Sequence, residues 1–149
     1  MFNIIRTNFQ NLDFIRLVHQ LDLFLAIRDG QEHDFYNQFN KIDKINNVLV
    51  LYENNEPIAC GSIKQIEGKV WEIKRLYTIA QARGKGVASR LLFELESWAR
   101  ELGVEKLVLK TGKRHLKPSI GLYKKNHFDL WKIMVNMLIL KIVSAFKNT

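Results

Sequence analysis

Cysteine occurs once in these 149 residues, at Cys60. No disulfide framework can form within the chain, and the setting Ile-Ala-Cys-Gly-Ser-Ile reads as a small hydrophobe buried on a strand rather than a reactive thiol. A reducing cytoplasm suits such a chain. Proline occurs twice and glycine eight times, and no repeat, linker or low-complexity segment divides the sequence. Long apolar runs are also missing. The most apolar stretch, Ile133 to Val143, is interrupted by Asn136 and Lys141 and falls well short of the roughly 20 residues that cross a bilayer. The opening MFNIIRTNFQ lacks the apolar core and small-residue cleavage site of a signal peptide, so neither secretion nor a membrane partner is expected. His19, His115 and His127 show no ligand spacing with one another or with Cys60, which argues against a metal site. Acidic residues are outnumbered: 15 Asp and Glu against 23 Lys and Arg, a formal charge of +8.

That excess points to an anionic partner: nucleic acid, an acidic surface or a phosphorylated small molecule. With 47% hydrophobic residues, the chain is long enough to bury one core, and residues 1–149 read as a single domain. A short strand, FNIIRT, precedes a helix on which Phe14, Leu17, Val18, Leu21 and Leu25 recur at spacings of three and four before Gly30. From Asn47 to Ile79, three strand-like runs are separated by ENNEP and EGK, both rich in turn residues, which predicts an antiparallel meander. Val87, Leu91, Leu92, Leu95, Trp98, Ala99 and Leu102 then form a helical stripe stopped by Gly103. EKLVLKTG reads as a strand, PSIGLYKKN as a short helix opening at Pro118, and VNMLILKIVS as a strand or buried helix. The order implies a mixed α/β sheet with helices on both faces.

Between the strand ending near Ile79 and the helix starting near Gly86 lie Arg83, Gly84, Lys85 and Gly86. The first amides of a helix have no partner within it, and glycines let those amides approach a ligand with no Cβ in the way. Amides and helix dipole together suit a phosphate or pyrophosphate, with Arg83 and Lys85 adding charge at the rim. The chain contains no G-x-x-x-x-G-K-[ST], and no G-x-G-x-x-G with an acidic residue at dinucleotide spacing, which disfavours ATP and NAD.

The run EIKRLYTIAQARGKGVASRLL, Glu72 to Leu92, resembles motif A of the GNAT N-acetyltransferase superfamily, whose pattern Q/R-x-x-G-x-G/A is met by Arg83, Gly86 and Ala88. SIGLYKKNHF, Ser119 to Phe128, is similar to motif B, with Ser119 in place of Ala and His127 in place of Gly. The resemblance implies a GNAT-type, mostly antiparallel sheet of six or seven strands, with acetyl-CoA as cosubstrate. It places the pantetheine arm against the backbone of Leu76, Tyr77 and Thr78, and the pyrophosphate on the amides of Arg83, Gly84, Lys85, Gly86, Val87, Ala88 and Ser89. One independent hint accompanies it. Ile73 and Leu76 are three apart, a slip in the two-residue strand period that suits a β-bulge.

The implied reaction is transfer of an acetyl group to a primary amine of a small-molecule or peptide acceptor. A lysine-like amine is neutral in only about one molecule in 2,500 at pH 7, so a base helps. Glu72 matches the strand position where the superfamily often carries a carboxylate, and the alternative for it is an exposed strand glutamate paired with Lys74 or Arg75. Tyr123 matches the tyrosine that protonates the leaving CoA thiolate or holds its sulfur; as a bare sequence feature it is a residue of an amphipathic helix core. His33, Phe35 and Tyr36 follow the first helix, a region bordering the acceptor pocket in the superfamily, or anchor a loop. Two rivals stand beside this reading: a CoA-binding domain without catalysis, and a basic nucleic-acid-binding module supported by KRHLK and by Lys124 and Lys125. No known nucleic-acid reading signature accompanies those charges, so no nucleic-acid partner is expected. The sequence leaves homodimer formation open.

Residues 131–149 depart from the family pattern. Relatives sharing EIKRLY and LYKK often end in N-Y-G-x-Y and then N-S-x-C, whereas here the chain runs WKIMVNMLILKIVSAFKNT. Written in A/T-rich codons and read two nucleotides later, that stretch can give ENYGQYVNIENSVCF and a stop. The code forces only the Glu and the first Gly; the rest depends on synonymous choices. A frameshift is the expectation, with the apolar replacement docking as a final strand and supplying no catalytic group.

Overall fold

The computed structural model describes residues 1–29, 44–112, 128–134 and 137–142. Among the described residues, seven strands and two α-helices follow in the order β1 (Phe2–Thr7), α1 (Leu12–Asp29), β2 (Asn47–Glu53), β3 (Glu56–Glu67), β4 (Val70–Thr78), a 3₁₀ turn (Ala80–Ala82), α2 (Val87–Glu101), β5 (Lys106–Gly112), β6 (Phe128–Met134) and β7 (Met137–Ile142). The strands form one mixed sheet in the order β1-β2-β3-β4-β5-β7-β6. β4 and β5 pair in parallel, from Val70 opposite Lys106 to Ile73 opposite Leu109; β1–β2, β5–β7 and β6–β7 are antiparallel. Among the described residues no helix is long and apolar enough to cross a membrane.

The meander follows from its turns. Asn54 and Asn55 alone separate β2 from β3, and both have positive φ, 52° and 69°, the handedness that matches a two-residue hairpin to strand twist. Gly68 and Lys69 connect β3 to β4, with Gly68 at φ 54° and its carbonyl accepting from Gln65 Nε2 at 2.7 Å.

Two compact units divide the chain: Met1–Ser62 with Lys74–Leu91, and Ile63–Ile73 with Leu92–Thr149. In the first, Phe14, Leu17 and Val18 of α1 join Ile45, Val48, Val50 and Cys60 in one buried cluster, against which Ile5, Phe9, Tyr52, Tyr77 and Ile79 pack. Each large side chain buried there contributes about 1.5–3 kcal/mol. Asn11 caps α1, its Oδ1 accepting from Phe14 N at 2.9 Å, and Tyr52 donates to Asp13 Oδ2 at 2.5 Å. In the second unit α2 ends as its sequence predicts. Gly103 at φ 79° donates to Arg100 O at 3.2 Å while Val104 N donates to Ala99 O at 3.0 Å, the paired bonds of a Schellman stop.

Two expectations change here. Leu102, placed on the buried stripe by its spacing, lies beyond the last turn of α2 and is 45% exposed. The tail adds the second half of one strand and all of another rather than a single strand, since FDLWKIM forms β6 and pairs with β7 from Phe128 opposite Ile142 to Met134 opposite Met137. Within VNMLILKIVS, the described residues Met137–Ile142 are strand and pair with β5 over Val108 to Gly112. The short helix expected at PSIGLYKKN falls outside the described residues.

Candidate functional site

β4 is the strand that carries the site, and its regular alternation fails near its middle. Glu72 and Ile73 are both buried, Lys74 is half-buried and Arg75 is buried again. Arg75 sits at φ 57°, a left-handed conformation that costs a non-glycine residue on the order of 1–3 kcal/mol. The carbonyl of Lys74 accepts from Ser62 Oγ at 2.6 Å, and that of Arg75 accepts from Cys60 Sγ at 3.3 Å. Successive carbonyls of a regular strand point opposite ways, so side chains of one neighbouring strand reaching both of them mark a local kink. The irregularity expected between Ile73 and Leu76 therefore falls at Arg75.

The Arg75 side chain is 3% exposed and its Nη1 lies 2.8 Å from Asp22 Oδ1 on α1. Its Nε is buried with no acceptor among the described residues, which adds about 1–3 kcal/mol of desolvation cost. From sequence, the alternative for Glu72 is an exposed strand glutamate paired with Lys74 or Arg75. Arg75 instead pairs with Asp22, and Glu72 is only 7% exposed, opposite Val108 in the β4–β5 register. Beside the guanidinium, Cys60 is fully enclosed; burial pushes its thiol from the ordinary 9.0 up to about 12, against a smaller downward pull from the Arg75 charge. The thiol stays protonated and donates.

Beyond the kink, Leu76, Tyr77 and Thr78 are half-buried. The Tyr77 hydroxyl comes to 3.5 Å from Gln20 Oε1, and Ile79 N returns to β3 through Ile58 O at 2.9 Å. The 3₁₀ turn at Ala80–Ala82, which the sequence did not reveal, then leads into Arg83–Gly86. All four of those residues are exposed. Gly84 and Gly86 have φ of 83° and 76°, and a Cβ added to either would meet nothing within 4 Å. Glycine is therefore demanded by backbone handedness, and the space in front of the turn is open. The ladder of α2 begins with Arg90 N donating to Gly86 O at 3.1 Å, so the amides from Gly84 to Ser89 lie ahead of it. Val87 is buried, fixing the start of the helix, while Ala88 and Ser89 are half-buried in its first turn.

The two cations of the turn are held by neighbours. Arg83 Nε donates to Thr78 O at 3.3 Å, and its guanidinium lies 5.1 Å over the Phe24 ring. Lys85 Nζ pairs with Glu53 Oε1 at 3.3 Å. Consecutive elements thus assemble a stretch of backbone, a glycine turn and a helix start, open to solvent and rimmed by positive charge, as an elongated phosphorylated ligand requires. Tyr123, His33, Phe35 and Tyr36 lie outside the described residues.

The acetyltransferase (GNAT) family model matches residues 13–128. The chain belongs to that family. The IAA acetyltransferase of Azospirillum brasilense is 30% identical over 116 residues, 76% of this chain and 75% of that protein. Two solved structures share the fold across 95% of this chain. One is a candidate acyl-CoA N-acyltransferase from Klebsiella pneumoniae, with TM-score 0.75, 22% identity and 97% of that chain covered. The other is a GNAT family acetyltransferase from Elizabethkingia anophelis with acetyl-CoA bound, with TM-score 0.69, 18% identity and 97% covered. The motif resemblance pointed to the glycine turn and to β4. It did not reveal Asp22, Phe24 and Glu53, whose roles arise from contacts distant in sequence.

Proposed function

We propose that this GNAT protein transfers an acetyl group from acetyl-CoA to a primary amine, with the pyrophosphate on the Arg83–Ser89 turn and the pantetheine arm along Leu76–Thr78. The observation that carries the reading is the Gly84–Gly86 turn: left-handed at both glycines, unobstructed in front, and placed before the first ladder bond of α2. Bound at that turn, the CoA pyrophosphate takes its hydrogen bonds from main-chain amides and gains from the helix dipole. The thioester supplies the acyl group, and the chain's residues hold it, receive protons and exclude competing geometries. Glu72 is assigned the proton of the incoming ammonium, directly or through a water, and Tyr123 the CoA sulfur as it leaves. His33, Phe35 and Tyr36 are assigned to the acceptor side.

Calorimetric titration with CoA tests the cofactor site. The wild type binds. Arg83→Ala/Gly86→Glu places a carboxylate where the amides meet pyrophosphate, and its affinity falls by at least about 100-fold, the loss of two charge-assisted hydrogen bonds. Unchanged affinity in a variant that melts normally overturns the assignment. Thiol release over a panel of amines then separates an enzyme from a CoA-binding domain without catalysis, which binds and releases nothing.

A further inference from the structure

Arg75 holds a left-handed backbone that glycine would adopt freely, and its guanidinium is enclosed and ion-paired. An unfavourable backbone and an enclosed charge at one residue call for a role in which both matter. The residue is anchored on two sides. Cys60 Sγ donates to its carbonyl, and Asp22 Oδ1 accepts from its Nη1. Ser62 fixes the preceding carbonyl. Removing the carboxylate would leave an enclosed cation with no counter-charge, and the left-handed backbone of Arg75 would lose its side-chain anchor on α1.

The same helix bears on the cofactor stretch at two more points. Gln20 approaches the Tyr77 hydroxyl and Phe24 lies under Arg83. Gln20, Asp22 and Phe24 thus meet Tyr77, Arg75 and Arg83, so α1 senses the backbone on either side of Leu76–Thr78. α1 is itself fixed by its Asn11 cap and by the Tyr52–Asp13 bond.

We propose that the Asp22–Arg75 ion pair is a positioning device that clamps the β4 kink and sets the backbone of Leu76–Thr78, aligning the thioester for transfer. The thioester half of this statement rests on the proposed acetyl-CoA site; the clamp itself does not. Asp22 and Arg75 act through the backbone they hold and touch no reacting atom.

Asp22→Asn keeps the shape of the side chain and removes its charge. In the unliganded variant, amide hydrogen exchange over Leu76–Ile79 speeds up at least tenfold while β1–β2 amides around Ile5 and Val50 keep their wild-type rates. Its CoA dissociation constant rises by no more than about threefold, because the pyrophosphate turn is untouched and the loosened Leu76–Thr78 backbone, though opening more often, stays closed most of the time, whereas kcat falls at least tenfold at nearly constant KM. Arg75→Lys retains the charge and recovers part of kcat. Arg75→Gly removes the backbone strain together with the clamp, so it folds at least as well yet loses turnover as Asp22→Asn does. Unchanged exchange at Leu76–Ile79, exchange raised equally in β1–β2, or wild-type kcat in Arg75→Gly overturns the proposal. If the wild type binds no CoA, the cofactor reading fails, and the exchange experiment still decides the clamp.

Discussion

Lys85 reaches from the glycine turn to the end of β2, its Nζ 3.3 Å from Glu53 Oε1. Both side chains are partly exposed, so the pair contributes at most about 1 kcal/mol, but it competes with any anion that arrives at the turn. Glu53→Gln frees the ammonium. CoA affinity is expected to rise about two- to fivefold in this variant at low salt, and the gain should shrink as salt screens the rim. Titration calorimetry at two ionic strengths measures it; equal affinities at both would mean that Lys85 does not meet the ligand.

Glu72→Gln preserves the volume of a buried side chain and removes its basicity. Turnover is expected to fall about 100-fold, the lower end of the range for a positioned acid or base, with CoA affinity unchanged. Tyr123→Phe should cost no more than that, since a thiolate leaves with little help. Steady-state kinetics with saturating acetyl-CoA and amine separate kcat from KM, and full turnover in either variant removes that residue from the chemistry.

Alkaline stability reports on two protons, one enclosed at Cys60 and one on the partly buried Tyr52. Burial raises the Cys60 thiol from 9.0 to about 12; burial first, then the bond to Asp13, raises Tyr52 from 10.0 to about 12. The unfolded chain releases these protons at the lower values while the folded chain retains them, so unfolding becomes more favourable as pH rises. Urea midpoints should hold below about pH 9, decline toward pH 12, and decline more steeply above pH 10. In Cys60→Ala the onset shifts to about pH 10. A midpoint flat from pH 9 to 11 would contradict the enclosed thiol.

The tail makes a prediction about the gene. Codons from Trp131 onward, read two nucleotides later, are expected to encode N-Y-G and then N-S-x-C. Restoring that frame would replace the apolar β7 with polar residues and is expected to improve acceptor binding. Determining the nucleotide sequence settles the matter, and codons that yield no N-Y-G refute it.

Much of this molecule can be read locally. The α2 stripe, the Gly103 stop, both hairpin turns and the glycine turn each depend on residues within a few positions of one another, where periodicity and backbone handedness leave few options. Arg75 is different. A basic residue on a strand normally faces solvent, and its burial is created by Asp22, 53 positions away. Leu102 fails for the opposite reason: its spacing continued the stripe, but the helix ends at Glu101 and Leu102 belongs to the turn completed by the left-handed Gly103. In β6, Asp129 and Lys132 break up the apolar residues, so no strand period is visible until β7 pairs with it. Glu72 could be singled out from its motif, yet its burial depends on the sheet around it.

The Asn54–Asn55 turn gives the chain a place to begin folding. A hairpin closed by two residues forms in about 1–10 μs, whereas β1 must find β2 across the whole of α1, and β5 can align beside β4 only after α2 has carried the chain back. Non-local pairings wait on loop closure. Pulse-labelled exchange during refolding should therefore protect amides flanking this turn, in β2 and β3, before those of β1 and β5. The glycine turn would be shaped only after β4 has joined that hairpin, making ligand competence a late event in the life of each molecule.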